Sequence, residues 1–208
     1  MILSLGLVGI FLLNNFLRNN YYSRKSELEN RIENLLDKNV DLGDYVGIRF
    51  LGISLGNSKI NDKKNIDSEI KAKNVYVGIM PFRSFLKQKW IVKISPKEAA
   101  INIDRDFFKR DESYKNDRIT KKSQSKYELN FNLNKYSILN LKKSGLKTKV
   151  KGNVIYNSSN REIIANLKSN FDEKGFLKFK FNTKLNQDFL KLDLFSKGLD
   201  LDNSEYII

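Results

Sequence analysis

The feature that most constrains this chain is the strict alternation of apolar and polar residues in its second half. Residues 127–133 place Tyr, Leu, Phe and Leu at every second position, with Glu and Asn between them. The same period recurs at 177–181 and 190–194. A period of two places alternate side chains of a strand on opposite faces of a sheet. The pattern therefore predicts a mainly β protein, an antiparallel meander with one apolar face and one wetted face.

The way in which the apolar face is covered distinguishes two architectures. In a closed β-sandwich, a second sheet or the N-terminal helix covers the face, and periodicity alone favours this arrangement. In the alternative, the meander curls into a trough whose apolar concave face holds acyl chains. The candidate lipid-facing residues are Tyr127, Leu129, Phe131, Leu133, Leu177, Phe179, Phe181, Leu190, Leu192 and Leu194.

Changes in composition divide the β region into three parts. Residues 40–108 form a first β-unit with short strands separated by glycines, and residues 127–208 form a second unit of β-repeats. Residues 109–126 are dense in charge and almost free of apolar side chains, which predicts a solvated loop. Residues 81–89 interrupt the strands and predict a turn or a single helical turn, with Phe82, Phe85 and Leu86 packed inward.

The N-terminus begins with a continuous apolar run from Met1 to Leu13, and its first charged side chain is Arg18. A helix continued to residue 17 spans about 25 Å, which nearly crosses a bilayer core. No small-residue cleavage site follows the run, so we predict an uncleaved transmembrane signal anchor over residues 1–22. A buried N-terminal helix is the alternative. The anchor residues are Ile2, Leu3, Leu5, Leu7, Val8, Ile10, Phe11, Leu12, Leu13 and Phe16.

A separate amphipathic helix is predicted over residues 23–39. Ser26 and Glu29 have the spacing of a capping box, and apolar residues then recur at helical spacing. We expect this helix to pack on the sheet that follows. The basic residues between the two helices would keep the bulk of the chain in the cytoplasm, unless a basic segment precedes the apolar run.

Composition excludes several classes of enzyme. The chain has no His and no Cys, which removes Ser-His-Asp triads, thiol nucleophiles, the usual zinc sites and disulfides. No phosphate-binding glycine loop or nucleophile elbow is present. The densest acidic cluster, Asp104, Asp106, Asp111 and Glu112, is interleaved with basic residues and is typical of a surface. We expect no catalytic site, no cofactor and no metal.

A net charge of +14 and a pI near 9.7 suggest anionic partners, either membrane lipids or nucleic acid. Only 9 of the 38 basic residues are Arg, whereas nucleic-acid binders favour the planar guanidinium. Specific nucleic-acid binding is therefore not expected. A non-specific footprint on Lys115–Lys126 stays as the alternative function.

Three stretches together resemble the TamB (translocation and assembly module, AsmA-like) family, in particular its cyanobacterial and chloroplast-envelope branch. They are ENLLDKNVDLGDYVGIRFLGISLGNSKI, SEIKAKNVYVGIMPFRSFLKQKWIVKISPKEAAINIDRD and KVKGNVIYNSSNREIIANLKSNFDEKGFLKFKFNT. The matching residues are Val40, Leu42, Gly43, Gly52, Ile53, Gly56, Ser58, Ile60, Ala72, Val75, Val77, Pro81, Leu86, Trp90, Val92 and Ile94.

The resemblance implies a single-pass inner-membrane protein with its bulk in the periplasm or an equivalent envelope space. The family's curved, β-taco-like groove is apolar. In this chain it would serve lipid transport, outer-membrane protein assembly or protein secretion, with membrane lipids as partners and acyl chains in the groove. Family members are usually much longer, so this chain would correspond to an N-terminal segment. The domain that binds the outer-membrane assembly partner would then lie outside it.

Overall fold

The computed structural model describes residues 2–63, 65, 67–104, 126–142, 146–160, 162–171, 175–184 and 189–197. In these residues the chain forms helices α1 (Ile2–Leu36) and α2 (Pro81–Lys87) and eleven strands. The strands are β1 (Lys38–Asp41), β2 (Tyr45–Arg49), β3 (Gly52–Leu55), β4 (Ser58–Asp62), β5 (Glu69–Ile79), β6 (Trp90–Ile103), β7 (Tyr127–Leu141), β8 (Leu146–Asn157), β9 (Glu162–Phe171), β10 (Gly175–Lys184) and β11 (Phe189–Lys197).

All eleven strands belong to one sheet, which confirms the mainly β prediction. The main path through the sheet is β1-β4-β5-β6-β7-β8-β9-β10-β11. Strand β3 pairs with β2 and with the second half of β5, while β4 pairs with the first half of β5. No second sheet exists among the described strands, so a sandwich of two packed sheets is not the arrangement that they adopt.

The predicted antiparallel meander is broken at two points: β1 pairs with β4 instead of β2, and the pairing of β6 with β7 is parallel. In the parallel pair, Trp90 lies opposite Tyr127 and Ile103 opposite Leu141. The chain must therefore return along the whole length of β6, about 45 Å for 14 residues, before β7 begins. This connection contains the predicted charged loop. Its residues 105–125, which include Asp106, Asp111 and Glu112, lie outside the described residues.

One continuous helix replaces the two predicted N-terminal helices. Because no Gly or Pro occurs between residues 10 and 36, nothing in the sequence ends the helix early. The predicted capping box was wrong, since Ser26 and Glu29 lie within α1. The Glu29 Oε1 atom instead accepts a hydrogen bond of 2.8 Å from the backbone N–H of Leu42. Glu33 Oε1 accepts one of 2.8 Å from Val40, which ties the helix to β1.

Within the described residues, no helix combines the length and apolar character needed to cross a membrane. The predicted transmembrane anchor over residues 1–22 is therefore not supported. The side chains of Ile2, Leu3, Leu5 and Leu7 lie outside the described ones. The other predicted anchor residues are exposed by half or more: Val8, Ile10, Phe11, Leu12, Leu13 and Phe16.

The hydrophobic core lies where α1 crosses the N-terminal part of the sheet. Tyr21 packs against Tyr45, Leu55 and Val75, and Leu17 lies beside them. The Tyr21 hydroxyl donates a hydrogen bond of 2.5 Å to the carbonyl of Gly43. Burial is the largest cause that raises the pKa of Tyr21, and the charge of Glu29 adds to it. The core thus joins the middle of α1 to β2, β3 and β5.

Helix α2 confirms the predicted helical turn, but its predicted packing was wrong. Its Phe82, Phe85 and Leu86 are exposed by 75%, 83% and 65%. Ser84 faces the sheet instead, and its Oγ accepts a hydrogen bond of 2.9 Å from the N–H of Ile91. Lys87, the last residue of this seven-residue helix, also contacts Glu128, so polar contacts hold α2 to the sheet and its apolar side chains stay in solvent.

Candidate functional site

A continuous row of paired positions crosses the sheet from β2 to β11. Residues directly opposite each other on neighbouring strands present their side chains to the same face. We call this series the central row. It runs through Ile48, Ile53, Val77, Ile94, Phe131, Val154, Ala165, Phe181 and Leu192, which are paired in that order. Every residue of the central row is apolar.

Two further rows flank the central row. One contains Ile79, Val92, Leu129, Tyr156, Ile163, Thr183 and Leu190. The other contains Leu133, Gly152, Leu167, Phe179 and Leu194. Tyr127 pairs with Trp90, and Leu177 pairs with Ser169. The sheet thus brings the sequence-predicted lipid-facing positions into adjoining rows, although they come from three separate strands.

Among the described elements, no helix packs on the part of these rows that lies on β7–β11. Helix α1 packs on β1 and β2, and α2 packs on β6, whereas each of β7 to β11 has its main contacts with neighbouring strands alone. Tyr127, Leu129, Phe131, Leu133 and Leu177 are half-buried. The side chains of Phe179, Phe181, Leu190, Leu192 and Leu194 lie outside the described ones. We refer to this part as the open apolar face.

The opposite face of the same strands is mostly polar, although Ile155 and Ile164 lie side by side on it. One of its rows contains Asn132, Asn153, Asn166, Lys180 and Asp193. Near α2, the buried Glu128 contacts Lys89 Nζ at 2.7 Å and Lys87 Nζ at 3.3 Å. Burial alone would raise the pKa of Glu128, but the hydrogen bonds and charges of the two lysines outweigh it and hold that pKa below its usual value.

Three lysines form a ladder on this polar face. Lys151 lies directly opposite Lys168, and Lys168 lies directly opposite Lys178. The Nζ of Lys168 is 4.3 Å from the ring centre of Phe176, whose ring lies 6.0 Å from that of Phe195. Like charges in directly opposite positions destabilise a sheet, and an anion bound there would relieve the repulsion. Pairing between strands decides this arrangement, so sequence reasoning missed it.

An open cavity of about 450 Å³ lies against the lysine ladder. Its lining residues are Leu133, Asn134, Lys151, Gly152, Asn166, Leu167, Lys168, Lys178 and Lys180. The φ angle of Gly152 is +145°, and a Cβ atom there would meet the Asn166 carbonyl oxygen at 2.0 Å. Only glycine therefore allows β8 and β9 to approach this closely.

The acidic cluster does not develop into a site. Among the described residues, no three His, Cys, Asp or Glu side chains are grouped so as to hold a metal ion. Of the four predicted cluster residues, the structure describes only Asp104. The lysines of the alternative nucleic-acid footprint, Lys115–Lys126, also lie outside the described residues except for Lys126.

Comparison with known proteins gives no family. No family model matches the chain, and neither the curated proteins nor the solved structures contain a match to it. The resemblance to the TamB family thus stays a prediction from the residues quoted above.

Proposed function

We propose that this chain is a membrane-associated lipid-handling protein whose open apolar face shields acyl chains from water. The central row is the observation that carries the proposal. It continues without a polar residue from the helix-covered strands onto β7–β11, where no described element of secondary structure packs over it as α1 does over β1 and β2. Several described side chains of this part, such as Leu129, Phe131 and Leu133, keep a fraction of their surface in solvent, and contiguous apolar surface that stays accessible is typical of a binding surface.

The size of the open apolar face suits an extended hydrocarbon chain. Five strands at about 4.8 Å spacing give a strip about 19 Å across. Each methylene group removed from water on such a strip contributes about 0.8 kcal/mol to binding. Because this process makes and breaks no covalent bond, the absence of His and Cys from the sequence is no obstacle.

The wider role follows the resemblance described above. We propose that the chain serves as a segment of a TamB-like groove in lipid transport, outer-membrane protein assembly or protein secretion between membranes. We also propose that it is attached to the inner membrane, with its bulk in the periplasm or an equivalent space. The exposed apolar side chains of α1 from Val8 to Phe16 support attachment to a membrane.

The test is retention of phospholipid by the purified full-length chain, measured by native mass spectrometry after gentle detergent removal. We expect bound phospholipid in the wild type and a loss of roughly tenfold or more in Phe131→Asp. An acyl chain that covered the new carboxylate would have to remove its hydration, which costs free energy. Asn132→Asp is the matched control, since it adds the same charge to the same strand on the polar face. It should retain the lipid.

Two results would contradict the proposal. The wild type would purify without phospholipid, or Phe131→Asp would unfold by circular dichroism. Unfolding would indicate that Phe131 belongs to a closed core. The control variant separates these effects from a general response to added negative charge.

A second candidate function, nucleic-acid binding, is favoured by the lysine ladder. Three adjacent lysines with Phe176 and Phe195 combine positive charge with aromatic rings, the two elements of non-specific single-strand binding. Retention on single-stranded DNA that falls steeply with salt, and is lost in a Lys151→Gln, Lys168→Gln, Lys178→Gln variant, would favour this function.

A further inference from the structure

Several exposed apolar segments meet at one end of the sheet. The turn between β2 and β3 lies beside the end of β5, because the Ile79 N–H donates a hydrogen bond of 2.9 Å to the Leu51 carbonyl. The Tyr76 hydroxyl donates one of 2.8 Å to the Phe50 carbonyl. The N–H of Met80 bonds the Ile91 carbonyl at 2.9 Å, which places α2 between the end of β5 and the start of β6.

These segments present large apolar side chains to solvent. We call them together the apolar end: Phe50, Leu51, Phe82, Phe85, Leu86 and Trp90, which are exposed by 48–87%. Single exposed apolar residues are common on protein surfaces, but a group of six on adjoining segments is not. The apolar end therefore indicates a contact surface.

The N-terminal part of α1 points toward the same end. Helix and strand run in opposite directions, since Tyr21 of α1 bonds Gly43 and Asn14 accepts a hydrogen bond of 2.8 Å from the Tyr45 hydroxyl. Strand β2 then continues to the turn at Phe50, while α1 extends beyond Asn14 toward its own N-terminus. Leu12 and Leu13, like Val8, Ile10 and Phe11, are exposed by at least half. A helical segment whose apolar side chains are exposed on every side is stable only in a nonpolar environment.

The charged residues around the apolar end indicate the chemistry of the partner that binds there. The sequence contains no Asp or Glu in residues 45–61 or 79–97, the two stretches that build the apolar end. Arg49 and Arg83 lie among its apolar residues, whereas Lys87 beside them already contacts Glu128. Aromatic and basic side chains side by side are typical of the interface of an anionic bilayer, where rings and aliphatic stems enter the headgroup layer and the cations stay at its surface.

We propose that the apolar end is a docking surface for an anionic lipid bilayer, into which α2 and the β2–β3 turn insert beside the N-terminal part of α1. The contact is interfacial and does not require a membrane-spanning helix. This inference deepens the proposed membrane association. It concerns different residues from the open apolar face, so the two can fail separately.

The single tryptophan gives a direct probe, because Trp90 lies at the apolar end and is 60% exposed. The full chain is mixed with vesicles of phosphatidylcholine and phosphatidylglycerol, and vesicle binding is followed by co-sedimentation. We expect the Trp90 emission to shift to shorter wavelength and to be quenched by phospholipids brominated on the acyl chain. Vesicles of phosphatidylcholine alone should give weaker binding, because Arg49 and Arg83 then meet no anionic headgroup.

A variant with Phe82→Ser, Phe85→Ser and Leu86→Ser tests the contribution of α2. These side chains are solvent-exposed, so the fold should persist, and vesicle affinity should fall roughly tenfold or more. Leu28→Ser is the control, because Leu28 is 42% exposed in the C-terminal half of α1, away from the apolar end. It should bind vesicles as the wild type does.

The inference is overturned if the chain does not bind vesicles, or if it binds them while Trp90 emission stays unchanged, since α1 alone would then make the contact. Equal binding by the triple-serine and Leu28→Ser variants would overturn it as well. Phe131→Asp separates the two proposals. If Phe131→Asp loses retained phospholipid but keeps the Trp90 response, docking and acyl-chain binding are distinct activities.

Discussion

The two halves of the sheet carry the same apolar alternation but differ in what lies over it. On β2, β3 and β5 the central row lies beside Leu17 and Tyr21 of α1, and Leu55 and Val75 are almost completely buried. On β7–β11 no described helix packs over the row, and although Ala165 is 7% exposed, Phe131 and Val154 keep part of their surface in solvent. An alternating pattern therefore specifies a sheet with one apolar and one polar face. Whether the apolar face is covered depends on a separate element such as α1. The first half behaves as a protein core and the second as a candidate surface for lipid.

The largest expected effect comes from placing one charge in each half. Val75→Asp puts a carboxylate under α1, where Val75 is 6% exposed, and should lower the free energy of unfolding by about 4 kcal/mol or more. Phe131→Asp should cost less than about 2 kcal/mol, because its carboxylate stays partly hydrated. Urea unfolding followed by circular dichroism measures both. Equal losses would remove the distinction between covered and open halves.

The next effect probes the close approach of β8 and β9 in the open half. Gly152→Ala should cost about 2–3 kcal/mol, because φ is +145° and the new Cβ would collide with the Asn166 carbonyl oxygen. Gly9→Ala is its control, since a Cβ at Gly9 of α1 meets nothing within 4 Å. That variant should be neutral or slightly stabilising in the same urea experiment. A neutral Gly152→Ala would show that the strands can separate at this point.

A smaller effect is expected at the boundary between the halves. Glu128→Gln removes the carboxylate that Lys87 and Lys89 share, and should cost about 1.5–3 kcal/mol at neutral pH. Because the pKa of Glu128 is lowered from 4.5 in the folded chain, its stabilisation is complete above pH 4.5 and disappears as the pH falls through the folded value.

The difference between wild type and Glu128→Gln should therefore shrink on acidification below about pH 4.5. Glu69 titrates in the same range, with its pKa lowered first by the hydrogen bond from Lys71, but it is present in both proteins and cancels from the difference. Thermal unfolding of both proteins at a series of pH values from neutral to acidic measures this difference in stability. A difference that stays constant with pH would contradict the assignment.

The smallest effect tests how α1 is held over the covered half. Tyr21→Phe removes the hydrogen bond to Gly43 and should cost about 1 kcal/mol. Burial and the charge of Glu29 raise the pKa of Tyr21 above 10, so the folded chain favours the neutral phenol. Its contribution is complete below pH 10 and decreases as the pH rises further, because the unfolded chain then releases its proton. Tyr22→Phe, an exposed neighbour, should leave stability unchanged.

Much of the sheet was predictable from local pattern. Alternation at Tyr127–Leu133 was enough to predict strand β7, because a period of two is typical of a strand and not of a helix. The parallel pairing of β6 with β7 was not predictable, since the same period suits either direction. The break between the two N-terminal helices was also wrong. Ser26 and Glu29 satisfy a capping pattern locally, but hydrogen bonds to Glu29 and Glu33 from the backbone of Leu42 and Val40 favour a continuous helix.

The candidate surfaces were predictable only in part. Periodicity placed the lipid-facing residues on one face of each strand, but their joining into continuous rows depends on register across eight pairs of strands. The exposure of Phe82, Phe85 and Leu86 was missed because apolar residues at helical spacing usually pack inward. Ser84 occupies the position that faces the sheet, and a single polar residue among three apolar ones gives no such signal.

The parallel pairing of β6 and β7 has a consequence for the order of folding. Strands β7 to β11 are joined by connections of three or four residues, which close rapidly and with little loss of chain entropy. Joining β7 to β6 instead requires closure of the 23-residue connection 104–126, a slower event with a larger entropic cost. The C-terminal hairpins should therefore acquire their pairing first, and the two halves should unite in a late step, visible as a separate slow phase in refolding.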